Sequence, residues 1–218
     1  MNKFYIAISG VLFLLAACSY SSPAQSFRKG SLLISLSEGH LNANYTTTNT
    51  TNDGQAKGNV GGDRDPLTVE YGLSKHWGIG LNMGGDILHV NPSYYGFSAA
   101  GKDVKVITSE ITADMHYHFF VTRRTDLSAF TSLGFAGVTI KGNNGDGQYQ
   151  YNAGGTMMRA GAEARYYVCR RFGFLGMASA YSSSCSTKDV KDNTVGNNYS
   201  TTISGYAIEF GICFHLLK

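Results

Sequence analysis

The chain has 218 residues, of which 15% are charged and 12% aromatic, with 27 glycines and a formal net charge of +3. Its positive residues form no stripe along one element, which argues against nucleic-acid binding. Beyond residue 24 no apolar run reaches the roughly 18 residues of a membrane helix, so helical spans are excluded.

Lys3 followed by an apolar run over residues 4–17 reads as an export signal. Ser22 and Ala24 fit the −3 and −1 positions of a cleavage that leaves Gln25 first. Leu15-Ala16-Ala17-Cys18 offers the alternative, a lipoprotein box with processing after residue 17 and a lipidated Cys18. The ordinary cleavage is preferred, because a chain that holds itself in a membrane needs no lipid anchor. Residues 1–24 are then the signal and residues 25–218 one domain. Cys169, Cys185 and Cys213 remain, an odd number that gives no disulfide framework; Cys169 and Cys213 fall toward the same end, and no bridge is predicted between them.

Residues 28–45 alternate Leu32, Ile34 and Leu36 with Ser31, Ser35 and Ser37, a strand pattern. Residues 46–64 are rich in Thr, Asn and Gly and read as a long polar loop. Residues 65–73 put Leu67, Val69, Tyr71 and Leu73 on one face, and a tight turn leads into residues 77–90, with Trp77, Ile79, Leu81, Met83 and Ile87 opposite Asn82 and Asp86. A loop over 91–103 precedes residues 104–120, where Ile107, Ile111, Met115 and Tyr117 oppose Glu110, Asp114, His116 and His118. After a turn at 122–124, residues 126–140 carry Leu127, Ala129, Leu133 and Phe135 on one face. Residues 141–155 read as a loop and 156–168 as a strand with Arg159, Glu163 and Arg165 on one parity. Residues 172–181, a loop over 182–198 and the closing strand 199–218 complete the chain. In that last strand Tyr206, Ile208, Phe210, Ile212 and Phe214 alternate with Gly205, Ala207, Glu209, Gly211, Cys213 and His215.

These are eight strands whose connections alternate long and short, with both ends on the short-turn side. Random spacing would rarely produce that rhythm. An all-β, eight-stranded, antiparallel up-and-down transmembrane barrel requires it, with short periplasmic turns and long extracellular loops. A soluble, lipocalin-like binding barrel also alternates, with its greasy parity inside. Three features favour lipid outside. The polar parity is mostly Gly, Ala, Ser and Thr with few charges, as a narrow lumen needs. Aromatic residues recur at strand ends as interface girdles (Trp77, Tyr117, Phe119, Tyr166, Phe172 and Phe214). Arg28, Lys29, Lys75, Arg123, Arg124, Arg170, Arg171 and Lys218 gather at the turn end beside Asp126 alone, a ring suited to anionic headgroups.

On this signal, strand count, loop rhythm and aromatic-rich last strand, residues 28–218 resemble the small outer-membrane β-barrel family of OmpX, OmpW and OmpA-barrel type. The resemblance implies residence in the bacterial outer membrane, contact with its lipids and recognition of the last strand by the barrel-insertion machinery. Members usually end in an aromatic residue; this chain ends His215-Leu216-Leu217-Lys218, which moves the implied signal to Phe210, Ile212 and Phe214.

Glu70, Asp86, Glu110, Asp114, Glu163 and Glu209 share the inward parity with Arg159, Arg165, His116, His118 and His215. An unpaired buried charge is costly, so these groups are expected to form a polar network that plugs the lumen. Six acids exceed two arginines, so some carboxylates should be protonated or paired with charged His. His116 and His118 share a face, which suits half a metal site but more simply lumen hydrogen bonding; no metal is expected. Residues 142–147 (GNNGDG) lack the closing Glu of a calcium loop. None of the six His has Ser two positions on, so the pattern of lipid-deacylating barrels is absent.

The expectation is a monomeric, non-catalytic outer-membrane barrel without a cofactor. Its structural or surface-interaction role would engage any extracellular ligand through loops 46–64, 91–103, 141–155 and 182–198. A narrow porin-like channel or transporter for ions or small hydrophobic molecules is the alternative.

Overall fold

The computed structural model describes residues 27–49, 55–89, 105–144, 147–186 and 199–217. Among them are nine strands: β1 (Leu32–Asn49), β2 (Gln55–Arg64), β3 (Leu67–Gly72), β4 (Trp77–His89), β5 (Lys105–Val121), β6 (Thr125–Asn144), β7 (Gly147–Tyr167), β8 (Phe172–Ser186) and β9 (Tyr199–Leu217). β2 and β3 lie end to end: β2 pairs with β1 from Gly39↔Arg64 to Thr48↔Gln55, and β3 from Leu32↔Tyr71 to Leu36↔Leu67. Both also pair with β4, so they form one stave broken at Asp65-Pro66. Pro66 has no N–H to give the ladder, which is why the break falls there. Each later strand pairs antiparallel with the next, and β9 returns to β1, so nine segments make a closed ring of eight staves.

Three loop assignments need correction. Residues 46–64 are not one loop, because β1 runs to Asn49 and β2 begins at Gln55. Likewise β6 and β7 pair as far as Asn144↔Gly147, and β8 continues to Ser186, through stretches read as loop. These segments are poor in large apolar residues but complete one another's backbone hydrogen bonds, and pairing outweighs intrinsic preference. The predicted loop over 91–103 and residues 187–198 of the one predicted over 182–198 lie outside the described residues.

Alternation sends one parity out and the other in. On β4, Trp77, Ile79, Leu81, Met83 and Ile87 are 38–51% exposed, while Asn82 and Asp86 are buried. Similar rows stand on β5 (Ile111, Met115, Tyr117) and β9 (Tyr206, Ile208, Phe210). Such a belt of bare apolar side chains is what a strand facing acyl chains presents.

Toward the long-connection end the pattern inverts. On β1 the apolar residues move from Ile34 and Leu36, outside, to Leu41, Ala43 and Tyr45, buried within. The pairing with β9 shows no register shift over this stretch. Leu41 and Tyr45 join Val60, Leu88, Val106, Val138, Met157 and Ile203 in one internal apolar cluster. Outside the same level stand exposed Asn42, Asn44, Lys57, Asn59, Thr202 and Ser204. The lumen therefore has an apolar loop-side third, a charged middle and, at the turn end, an apolar collar of Phe27, Leu33, Tyr167, Leu175 and Cys213. Cys185 and Cys213 are free and buried, whereas Cys169 is disulfide-bonded, against the expectation of no disulfide framework.

Candidate functional site

The charged middle consists of two ionic clusters, each built around one arginine. Nearer the turns, Glu70 on β3 accepts from Arg165 Nη2 at 2.6 Å and faces His118 Nε2 at 2.8 Å. The other ring nitrogen, His118 Nδ1, lies 2.8 Å from Asp126 Oδ1. A ring donating from both nitrogens to carboxylates is an imidazolium. Arg165 also binds Glu163 through Nε, and its Nη1 is 3.8 Å from Asp126. Glu70 reaches β5 only by passing over β4, where the intervening position is Gly78; a Cβ there would overlap Glu70 Oε1. Phe27 closes this cluster from below, its ring stacked on His118 with centroids 3.6 Å apart.

In the second cluster Arg64, fully buried at the end of β2, donates from Nη1 to Asp86 at 2.9 Å, from Nε to Glu209 at 3.1 Å and from Nη2 to Glu110. Glu209 also accepts from Arg159 at 3.3 Å and from Ser37 Oγ at 3.1 Å. Thr108 Oγ1 donates to the second oxygen of Asp86 at 2.6 Å. Arg159 completes the group over the face of Phe130, 5.0 Å from its centroid, a cation–π contact. Here too a glycine makes the reach possible: a Cβ at Gly39 would collide with Glu209.

All eleven lumen residues named from the sequence are buried, but they do not form one network. Asp114 accepts from Thr112 at 2.8 Å, and its other oxygen has no hydrogen-bond partner. His116 stacks between Phe130 and His118; neither ring nitrogen is hydrogen-bonded, and Nδ1 stands 3.9 Å from Glu70 Oε2, at the edge of the first cluster. His215 packs against Tyr167 in the turn-end collar, and its Nε2 has no hydrogen-bond partner. Two members are additional. Arg64 lies at the end of the stretch expected to be loop and Asp126 in the expected turn-end surface ring, yet they are 0% and 1% exposed. The acid excess was the available signal for Arg64, since six inward carboxylates called for a further cation. Asp126 shares the inward parity of Ser128 and Ser132, which its nearness to the turn masked.

Of the girdle aromatics, Trp77, Tyr117, Phe119 and Tyr166 are 43–54% exposed and Phe214 is half-buried. Phe172 departs from expectation. It is 7% exposed, covered by the rings of Phe174 and Phe214, each 5.3 Å away. A register shift between His118 and Phe120 turns both Phe119 and Phe120 outward. Among the described residues no group of three or more His, Cys, Asp or Glu is arranged to hold a metal ion.

No family model matches the sequence, and no curated protein matches it. Among solved structures the chain is similar to the outer membrane protein OprG from Pseudomonas aeruginosa. The two are 11% identical, with 88% of this chain and 99% of that chain covered and a TM-score of 0.55. It is also similar to the outer membrane protein AlkL in DMPC lipid bilayers, at 12% identity, 91% and 96% coverage and a TM-score of 0.51. At these identities the likeness is one of fold. With apolar side chains bare on its outside and its carboxylates and guanidiniums gathered within, the chain has the fold of the small eight-stranded outer-membrane β-barrels.

Proposed function

We propose that the protein is a non-catalytic integral component of the outer membrane, a rigid monomeric barrel with a charge-plugged lumen. Its long connections face outside the cell and its short turns face the periplasm, where the basic residues of the turns meet anionic headgroups. Strand β9, with Phe210, Ile212 and Phe214, is the segment offered to the insertion machinery. One observation carries this reading: the two arginine-centred clusters tie opposite walls together across the lumen. Arg165 on β7 meets Glu70 on β3, and Arg64 on β2 meets Glu110 on β5 and Glu209 on β9. The cavity beside Asp86 and Glu110 is about 10 Å³, space for about one water. A second reading, carriage of small hydrophobic molecules, is favoured by the apolar loop-side third of the lumen.

Reconstitution separates these readings. In planar bilayers the purified barrel is expected to give no steady single-channel steps, and reproducible steps from the unaltered protein would reject the plug. Saturable binding of an apolar dye by the same non-conducting sample would put the carrier reading first.

A further inference from the structure

The apolar belt is not the same height all round the barrel. On β1 it stops at Leu36, and the next outward residues are Glu38 and His40, both exposed. On the adjoining stave Asp63 pairs with His40, and Asp65 lies exposed just past the end of β2. His40 Nδ1 and Asp63 Oδ1 are 3.7 Å apart, with both side chains about two-thirds exposed (68% and 66%). The strands on either side remain greasy along the same rungs. Glu38 is opposite Phe210 and His40 opposite Ile208 on β9, 69% and 49% exposed. Asp63 is opposite Ile87 on β4, 51% exposed, and Ile87 is opposite Ile107 on β5. One rung thus reads Ile208, His40, Asp63, Ile87, Ile107 around the outside.

Strand tilt does not remove the mismatch. Moving around a tilted sheet, one neighbour's rung rises and the other's falls, so one isoleucine flank always stands at or above the polar pair. A charged side chain against acyl chains costs about 2–4 kcal/mol at the midplane for Arg or Lys, less for Asp or Glu, and about 0–1 kcal/mol at the interface. Three carboxylates in one patch therefore favour withdrawal of the hydrocarbon. The patch is two strands wide, roughly 10 Å from the interstrand spacing. It is far smaller than the roughly 800 Å² per partner that a stable protein interface buries. Its size fits lipid headgroups.

We propose that the headgroup layer of the loop-side leaflet descends along the β1–β2 wall. Headgroups and their water would then cover Glu38, His40, Asp63 and Asp65, and the bilayer would be locally thinner there than at the opposite wall. This rests on the membrane reading above and adds to it a fixed, asymmetric contact with lipid.

The test places one tryptophan beside the notch. Trp77→Phe removes the only native tryptophan, and Ile208→Trp reports the notch rung from the greasy side. In phosphatidylcholine vesicles containing lipids brominated at mid-chain, the Ile208→Trp indole is expected to be quenched by aqueous acrylamide and little by bromine. Ile111→Trp, lower in the belt on β5, is expected to show the reverse. Filling the notch with Glu38→Leu, His40→Leu, Asp63→Leu and Asp65→Leu should blue-shift the Ile208→Trp emission and transfer its quenching to bromine. If that variant fails to insert, the unfilled protein still decides. Mid-chain quenching with acrylamide shielding at position 208 overturns the dip, and shielding from both quenchers shows a protein partner on the wall instead. Acrylamide quenching at both 208 and 111 would instead reject the membrane belt itself.

Discussion

Arg64 donates to three carboxylates from three different strands, Asp86 on β4, Glu110 on β5 and Glu209 on β9. Desolvating its guanidinium is costly, and only the surrounding acids offset that cost. Arg64→Met keeps most of the volume but leaves Asp86, Glu110 and Glu209 sharing Arg159 alone. Removing one partner from a buried ionic group typically costs about 3–5 kcal/mol, so this variant is expected to lose stability of that order in urea titrations of the folded barrel. A variant as stable as the parent would mean that the cluster is ornamental. Gly78 is a second sensitive position, since its missing Cβ is the passage through which Glu70 reaches His118.

At the scale of elements, the stave made of β2 and β3 is the weak one. Asp65 N donates to Gly85 O at 3.3 Å and Ser37 N to Pro66 O at 3.2 Å, the thin hydrogen bonding of an interrupted ladder. The β6–β7 hairpin pairs without a break from Thr125↔Tyr166 to Asn144↔Gly147. Hydrogen exchange is therefore expected to be faster for the amides of Ser37 and Asp65 than for amides at mid-height of β6 and β7; equal protection would sink the idea. This stave was also the hardest to read. Leu67, Val69 and Tyr71 announce β3 by alternation, and strands such as β4 and β9 are legible for the same reason. β2 announces almost nothing, because Val60 is its one large apolar inward residue and its other inward positions include Gly58, Gly62 and Arg64. Lost with β2 was Arg64, the hub of a cluster whose other members were readable by parity. Parity tells which way a side chain points. It cannot tell that Asp114 Oδ2 and His215 Nε2 are left without hydrogen-bond partners, because that depends on which staves face each other across the lumen.

For the whole molecule, the choice between greasy outside and greasy inside has a level-dependent answer. Below, Ile34 and Leu36 face out and Ser35 faces in; above, Asn42 and Asn44 face out and Leu41 and Tyr45 face in. One continuous ladder carries both arrangements, so the inversion marks where the wall passes from lipid into water. A ring with no free edge should resist detergent. The purified protein is expected to migrate faster on SDS electrophoresis unheated than boiled, and identical mobility would argue against a closed barrel.

The cross-lumen ties have a further consequence, for assembly. The smallest slide of one stave that preserves inside and outside is two residues, a displacement of roughly 7 Å. That slide would carry Glu70 out of reach of Arg165, which stands four staves away, halfway round the ring. Arg64 and its three acids impose the same condition on other staves. The interior charges thus behave like the tumblers of a lock: wrong alignments leave ions stranded, and only one stagger of the staves lets all of them engage together.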